Sequence, residues 1–261
     1  MTVPPGAPGF AECGTCPYLG TDGSIRTCYL CIVATAVHLP PLPERCEFCD
    51  QPFDPGWKKC GNRVCRMSSD ERWFEWNLAS AVMSGPMQQA IVRYKANDER
   101  WRATVFGRLL VGYLDRNETF FRDNVKPDVI IPTPTFTGAG AVRSWDHIAT
   151  ILSAATQVQA DGRWPFRAET PGIIVKTAPT ARMRTLKLDQ RQSEAQTNLR
   201  EALTVPDPSL TDGKTIIVFD DVFTGGWTLR EVARALKTLG GAKLVYGLTL
   251  ARQPWSHPSP I

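Results

Sequence analysis

Two adjacent acids, Asp220 and Asp221, follow a short apolar run and precede a turn rich in threonine and glycine at residues 224–226. Carboxylates at the carboxyl end of a buried strand suit ribose hydroxyls or Mg²⁺, because both are bound by hard oxygen ligands. Glycines allow the backbone to turn tightly, and a helix that begins after them offers free N–H groups and the positive end of its dipole to a phosphate. The segment therefore contains the parts of a sugar-phosphate site.

The flanking residues predict the elements that position these groups. Residues 215–219 are apolar or β-branched, as in a buried parallel strand. After the turn, apolar residues recur at steps of three and four until Gly240-Gly241, which predicts an amphipathic helix: Leu229, Val232, Ala233, Leu236 and Leu239. Residues 244–250 predict the next strand. Neither a G-x-G-x-x-G fingerprint nor a Walker A lysine is present here, and an ordinary strand-to-helix corner is the alternative interpretation.

All eight cysteines lie in the first quarter of the chain, in closely spaced pairs. The pairs are Cys13 and Cys16, Cys28 and Cys31, Cys46 and Cys49, and Cys60 and Cys65. Each pair can bring two thiolates to one tetrahedral Zn²⁺, so the pattern predicts two closed, structural four-cysteine zinc sites. Sequential sharing, with the first four cysteines on one ion and the last four on the other, and interleaved sharing both fit. Disulfides are the alternative.

Composition and charge favour a cytoplasmic protein with reduced thiols. The N-terminal residues lack the apolar segment of a secretory signal, and no apolar run approaches the length of a membrane span. The net charge of +4 is mild and does not require a nucleic-acid partner. A basic edge beside the last cysteine pair could contact DNA or be solvated surface: Lys58, Lys59, Arg63 and Arg66.

The length of 261 residues allows one mid-sized domain and a small module. We assign residues 11–66 to the cysteine module, 67–83 to a connecting segment with a strand at 73–78, and 84–253 to an α/β domain with a parallel sheet. Helical patterns begin near Pro86, with a break near Asn97-Asp98, and again near Ile148. Residues 129–132 and 173–175 predict strands, and the polar, basic residues 177–200 predict an irregular lid or linker.

Residues 218–228 resemble the phosphoribosyl pyrophosphate (PRPP) motif of type I phosphoribosyltransferases, in which an apolar strand and two acids precede a Thr-Thr-Gly-x-Thr loop. Gly225 replaces the second threonine of that loop, and Trp227 stands where a small residue is usual. The resemblance implies that Asp220 and Asp221 are catalytic acids that hold the ribose hydroxyls, with Mg²⁺ accompanying PRPP. It implies a cradle for the 5′-phosphate formed by Val222, Phe223, Thr224, Gly225, Gly226, Trp227 and Thr228.

In the same family the loop after an earlier strand binds pyrophosphate. The corresponding residues here are Thr133, Pro134 and Thr135, together with Arg143. Arg143 opens the segment Arg-Ser-Trp-Asp-His, which resembles Arg-Gly-Phe-Asn-Gln in one branch of the family and matches it only at the arginine. His147, at the end of this segment, is either an acid–base group or a structural histidine.

The order of features along the chain is similar to the ComF branch of these proteins. That order is four cysteine pairs, Arg93-Tyr94-Lys95, the Pro-Thr-Pro loop, Asn198-Leu-Arg-Glu-Ala and the two acids. The resemblance implies a type I phosphoribosyltransferase fold, a Rossmann-like parallel sheet with an N-terminal double zinc ribbon. It implies a cytoplasmic protein connected with natural competence and DNA uptake.

The expected activity is Mg²⁺-dependent transfer of phosphoribose from PRPP to a nitrogen nucleophile, with release of pyrophosphate; the acceptor base is not evident. The alternative is a non-catalytic nucleotide-sensing or DNA-binding adaptor that contacts single-stranded DNA or a helicase of the uptake machinery. A purine-salvage enzyme with a structural finger is a third hypothesis.

Overall fold

The computed structural model describes residues 45–51, 53, 59–159, 162–169, 171–181 and 185–254. Four of the predicted zinc ligands, Cys13, Cys16, Cys28 and Cys31, lie outside the described residues, as does Lys58 of the basic edge. Under sequential sharing, these four cysteines are the ligands of one of the two predicted zinc sites, and that site lies outside the described residues.

The described part of the chain contains six strands. They are β1 (Asn77–Ala79), β2 (Val129–Pro132), β3 (Val175–Lys176), β4 (Leu203–Thr204), β5 (Thr215–Phe223) and β6 (Leu244–Arg252). A central sheet has the order β1-β6-β5-β2 with all neighbours parallel, which confirms the predicted α/β class. β3 and β4 pair antiparallel in a separate small sheet, so the strand predicted at 173–175 lies outside the central sheet.

The helices are α1 (Ser69–Arg72), α2 (Gly85–Ala96), α3 (Arg102–Arg116), α4 (Glu118–Phe120), α5 (His147–Val158), α6 (Leu188–Glu194), α7 (Arg200–Ala202) and α8 (Trp227–Thr238). Single π-helical turns cover Phe121–Val125 and Ala195–Leu199, and 3₁₀ turns cover Val64–Arg66 and Pro208–Leu210. The predicted break between α2 and α3 is present, where Asp98 adopts a φ of 57°.

Two sequence predictions of secondary structure are wrong. The strand expected at 73–78 is β1, which begins only at Asn77, because Trp73 has a φ of 70° that ends α1 and interrupts any extended run. Residues 188–200, within the segment expected to be irregular, are helical, and the helical run continues to Ala202. Their sequence is polar, but Ala195, Leu199 and Ala202 are buried, so packing against the rest of the fold supplies the stabilisation that local patterning does not indicate.

The central sheet separates two cores. One face of the sheet packs against α2, α3 and α5, and the other packs against α8 and the cysteine segment. Successive residues of a strand point to opposite faces. Accordingly Ile217 and Phe219 of β5 lie in the first core, whereas Ile216 and Val218 lie in the second. The α8 stripe is buried as predicted except for Leu239, which follows the helix and is 48% exposed.

A buried carboxylate anchors the 195–202 segment to α8. Glu231 is fully buried and accepts hydrogen bonds from Arg200 Nε at 2.9 Å, from Arg234 Nε at 3.0 Å and from Arg230. Replacing one partner of a buried ion pair leaves the remaining charges uncompensated.

We expect Glu231→Gln to lower the free energy of unfolding by about 3 kcal/mol, because three arginines lose their shared negative charge. Urea denaturation measures the change. Glu201→Gln is the control, since Glu201 is an exposed glutamate on α7 whose loss should cost less than about 0.5 kcal/mol. A Glu231→Gln protein as stable as the control would show that the arginines are already solvated.

Candidate functional site

The predicted acids lie at the carboxyl edge of the central sheet. Asp220 and Asp221 are near the end of β5, and Thr133 directly follows the neighbouring strand β2. Thr133 is buried, and its backbone N–H donates to Phe219 O at 2.8 Å. This hydrogen bond brings the loop at residues 133–140 beside the two acids. Open α/β sheets bind ligands at this edge.

Asp220 faces a cleft on the α8 side of the sheet. The cleft has an empty volume of about 450 Å³, open solvent at its mouth included. Every residue of 222–228, here called the glycine loop, contributes to its wall together with Asp220. The cleft is also lined by Asn77 and Thr249 from β1 and β6 and by Arg191 from α6. The structure thus brings together all seven loop residues that the resemblance assigned to a phosphate.

The glycine loop turns directly into α8. Gly226 occupies the N-cap position with a φ of 78°, a region that side-chain-bearing residues rarely adopt. A Cβ on Gly226 would also lie 2.7 Å from Phe223 Cζ, so both the backbone and the space require glycine. The first-turn N–H groups of the 12-residue helix consequently open at the loop, which is the arrangement that binds anions.

The two departures from the family loop are structurally connected. A Cβ on Gly225 would lie 3.3 Å from Trp227 Cδ1, so the tryptophan ring would have to shift by a few tenths of an ångström to admit it. The Trp227 side chain is 6% exposed and packs in the second core, with the Arg230 guanidinium 5.7 Å from its ring centroid. The tryptophan therefore occupies the space beside residue 225, which favours glycine there over the threonine of the family pattern.

Asp221 points to the opposite face of β5 from Asp220. It forms an ion pair with Lys95 from the end of α2, and its Oδ2 lies 3.5 Å from Nε2 of His147 at the start of α5. The Tyr94 hydroxyl donates to the carbonyl oxygen of His147 at 2.7 Å and fixes the relative position of α2 and α5. Asp221 is 4% exposed, so this carboxylate is held by the Lys95 ammonium and by His147 inside the protein.

The two neighbouring carboxyls have opposite pKa shifts. Burial, together with the charge of Asp221, raises the pKa of Asp220 to about 7, against the effect of Lys95. For Asp221, burial acts to raise the pKa, but the Lys95 ammonium and His147 outweigh it and hold the pKa below its usual range. At neutral pH the pair therefore has one fixed negative charge, on Asp221, and one carboxyl that titrates, on Asp220.

A second cleft lies beside Asp221. Pro134, Thr135 and Arg143, three of the residues predicted to bind pyrophosphate, line it together with His147 and Lys176. Lys176 donates to Thr180 Oγ1 at 2.6 Å, and burial lowers the pKa of this lysine. Arg143 Nε donates to the carbonyl oxygen of Lys95 at 3.3 Å. His147 contributes to this cleft and contacts Asp221, so it connects the second cleft to β5.

Sequence reasoning missed several residues that line these clefts or contact Asp221. Lys95 carried no assigned role, the role of His147 was left open, and Asn77 and Thr249 were not considered. Lys95 and His147 lie far from Asp221 along the chain, and no local spacing marks a contact between separate helices and a strand. A usable signal for the opposite directions of the two acids was present, since adjacent residues of a strand alternate between faces.

The last four cysteines form one compact cluster. Cys46, Cys49, Cys60 and Cys65 are buried free thiols whose sulfur atoms all lie within 4.8 Å of one another. The Cys49 and Cys60 sulfurs are 3.7 Å apart. Tetrahedral zinc with Zn–S bonds of about 2.3 Å requires sulfurs about 3.8 Å apart, so the cluster fits one zinc ion. The sequential sharing of these four cysteines agrees with this cluster.

No comparable cluster of side chains for Mg²⁺ is found among the described residues. Within the described residues, the cysteine cluster is the one group of three or more His, Cys, Asp or Glu side chains that converges on a possible ion. The two aspartates face opposite sides of β5. The residues present fit a Mg²⁺ ion that is held by one carboxylate and by the phosphate oxygens of a ligand, which is a usual way for proteins to bind Mg²⁺.

Comparisons with known proteins gave no family assignment. A scan against protein-family models gave no match, and a search of curated proteins gave no significant match. Among the described residues, no helix is both long and apolar enough to cross a membrane.

Proposed function

We propose that the protein binds PRPP and transfers its phosphoribosyl group to a nitrogen nucleophile. The observation that carries the proposal is the first cleft, where Asp220 faces the glycine loop at the N-terminus of α8. A carboxylate opposite free backbone N–H groups can bind the hydroxyls of a ribose and its 5′-phosphate at the same time. The ComF-like order of motifs supports the same activity.

The ligand would extend across β5 between the two clefts. The 5′-phosphate binds the N–H groups of the glycine loop, and Asp220 accepts hydrogen bonds from the ribose hydroxyls. The pyrophosphate binds in the second cleft near Thr135, Arg143 and Lys176. Asp221 then acts through its partners, because its charge keeps Lys95 and His147 in place beside that cleft.

The transfer requires positioning and charge stabilisation more than covalent help. The bond between ribose C1 and the pyrophosphate oxygen breaks with its electron pair on the oxygen, and the acceptor nitrogen bonds to C1 and releases a proton. Arg143, Lys176 and Lys95 are the cations that can stabilise the leaving charge. Mg²⁺, when bound with PRPP, would neutralise part of the pyrophosphate charge, with Asp220 as the carboxylate available to hold it.

Calorimetric titration of PRPP with Mg²⁺ into the metal-loaded protein tests the proposal. Binding in the micromolar range that is lost on replacement of Asp220 would place the ligand in the first cleft and justify a screen of acceptor bases with a pyrophosphate readout. No binding by the wild-type protein would contradict both the site and the activity.

A second candidate function, binding of single-stranded DNA, is favoured by exposed basic side chains beside the cysteine cluster. Lys59, Arg63 and Arg66 flank Cys60 and Cys65 and are solvent-exposed. Such side chains can neutralise DNA phosphates and release counterions. This function would suit an adaptor in DNA uptake and does not exclude a bound sugar phosphate.

If this candidate is correct, the affinity for a single-stranded oligonucleotide falls steeply with salt. Replacing Arg63 and Arg66 with glutamine should reduce the slope of log K against log salt concentration by about 1.4, because two phosphate contacts are lost. Fluorescence anisotropy at several salt concentrations measures it. Arg122→Gln, which removes an exposed arginine elsewhere, is the control. Absence of binding at low salt would eliminate direct DNA contact by this surface.

A further inference from the structure

Arg252 lies between the cysteine cluster and the glycine loop. It is the last residue of β6 and is 3% exposed. Its Nη2 donates to Cys49 Sγ at 3.2 Å, and its Nη1 donates to Thr224 O at 3.2 Å and to Gln253 O at 3.1 Å. The guanidinium also lies over the Phe223 ring, 5.0 Å from its centroid. One side chain thus contacts a predicted metal ligand and the loop that faces the first cleft.

Packing joins the same two regions independently of Arg252. Val64, between Cys60 and Cys65, is fully buried, and its Cγ1 lies 3.5 Å from the position of a Cβ on Gly226. Phe74 packs edge-on against Phe223 with ring centroids 6.4 Å apart. The glycine loop therefore packs directly against the cysteine segment and the residues that follow it.

Charge explains why the arginine contact depends on the metal. Four thiolates around one divalent cation have a net charge of about −2, and a guanidinium bound to such a thiolate forms a strong charge-assisted hydrogen bond. A bound metal also fixes the position of Cys49 Sγ, and without the ion nothing holds this side chain where it accepts the hydrogen bond from Arg252. A guanidinium as buried as that of Arg252 then loses its acceptor, which is unfavourable unless the side chain moves. Any such movement withdraws its hydrogen bond from Thr224.

We propose that Arg252 is a positioning residue that couples metal occupancy of the four-cysteine site to the conformation of the glycine loop. The metal and an anionic ligand of the loop then bind with mutual enhancement, because coupling between two sites is reciprocal. Only the identity of that ligand, a sugar phosphate, rests on the proposed function; the coupling of the metal to the loop does not.

Hydrogen exchange of the loop amides, measured with and without the metal, tests the coupling in the absence of any ligand: removing the metal with a chelator should speed exchange of residues 223–228 in wild type and have little further effect in Arg252→Met. In the metal-loaded protein, Arg252→Met should speed exchange of residues 223–228 at least tenfold over wild type, since it removes the charge and keeps a long side chain. Arg252→Lys should give an intermediate result, because an ammonium cannot span both acceptors as a guanidinium does. Arg122→Met, on the exposed surface, is the control. Equal loop exchange in wild type and Arg252→Met would overturn the proposal.

A spectroscopic measurement separates this role from simple packing. With Co²⁺ in place of zinc, the thiolate-to-metal charge-transfer absorption should differ between wild type and Arg252→Met, because the hydrogen bond to Cys49 Sγ is lost. Identical spectra, with one Co²⁺ bound in each protein, would contradict the hydrogen bond to the metal ligand.

Metal release to a chromogenic chelator tests the reciprocal effect. A saturating concentration of PRPP should slow release several-fold in wild type and have no effect in Arg252→Met. If PRPP binds without slowing release in wild type, the coupling is wrong while the proposed function stands. If PRPP does not bind at all, the proposed function fails, and the exchange and spectroscopic results still decide the coupling.

Discussion

Asp220→Asn is expected to weaken PRPP binding about 100-fold at pH 8. The carboxylate of Asp220 faces the first cleft, and hydrogen bonds from two ribose hydroxyls to a charged acceptor contribute about 3 kcal/mol together. The amide keeps the shape of the side chain but loses its charge. Calorimetric titration in the presence of Mg²⁺ measures the loss. Asp123→Asn, which removes the same charge from an exposed turn, is the matched control and should bind like wild type.

The effect of Asp220→Asn on PRPP affinity should depend on pH. Because the pKa of Asp220 is raised to about 7, its carboxylate is lost as the pH falls through neutrality, and wild-type affinity should fall by about tenfold per pH unit below 7. The phosphates of PRPP also titrate in this range. That effect is shared by wild type and Asp220→Asn, so the ratio of their affinities isolates the aspartate. A ratio independent of pH would contradict the assignment.

Asp220→Asn should weaken PRPP binding but raise the free energy of unfolding. A carboxyl whose pKa is raised by folding destabilises the folded state as the pH rises from about 4 to about 7, because the charged form is disfavoured inside the protein. Asp220→Asn should therefore be more stable than wild type at pH 8, by up to about 4 kcal/mol, with the difference vanishing towards pH 4. Urea denaturation of the metal-loaded proteins at several pH values measures this. Lower stability of the variant at pH 8 would show that the carboxylate is favourably placed in the ligand-free protein.

The second large effect is expected for Lys95→Met, which should lower the free energy of unfolding by about 3 kcal/mol. The change removes the main cation from Asp221, a carboxylate only 4% exposed, and leaves that charge uncompensated. The double variant Asp221→Asn/Lys95→Met should recover most of the loss, because both charges leave together. A double-mutant cycle by urea denaturation measures the coupling of the two residues. Additive losses would show that the ion pair contributes nothing.

Asp221→Asn separates the roles of the two acids. If Asp221 acts by holding Lys95 and His147 beside the second cleft, its replacement should weaken PRPP binding and leave ribose 5-phosphate binding near wild type, since ribose 5-phosphate lacks the pyrophosphate. Asp220→Asn should weaken binding of both ligands. The family resemblance implied that both acids hold the ribose hydroxyls, and equal losses of ribose 5-phosphate affinity in the two variants would support that simpler assignment.

Residues close together in the chain made much of the candidate site predictable. The glycine loop and Asp220 face one cleft as expected, because a strand, a turn and a helix in direct succession leave few alternative geometries. The cluster of Cys46, Cys49, Cys60 and Cys65 follows from short spacings in the same way. Prediction failed for the helical residues 188–200, whose polar pattern gives no periodic signal and whose position depends on contacts such as that of Arg200 with Glu231.

The sequence by itself determined the parallel α/β class, the strand-turn-helix that carries the glycine loop, and the cysteine pairs, because each depends on periodicity or spacing within a short segment. Only the tertiary structure brought Lys95 and His147 to Asp221, and Arg252 to Cys49. These partners come from separate elements that meet when the sheet and its helices pack. Charged side chains interact only weakly in an extended, hydrated chain. They form strong and specific interactions in the folded protein, because burial removes water from them.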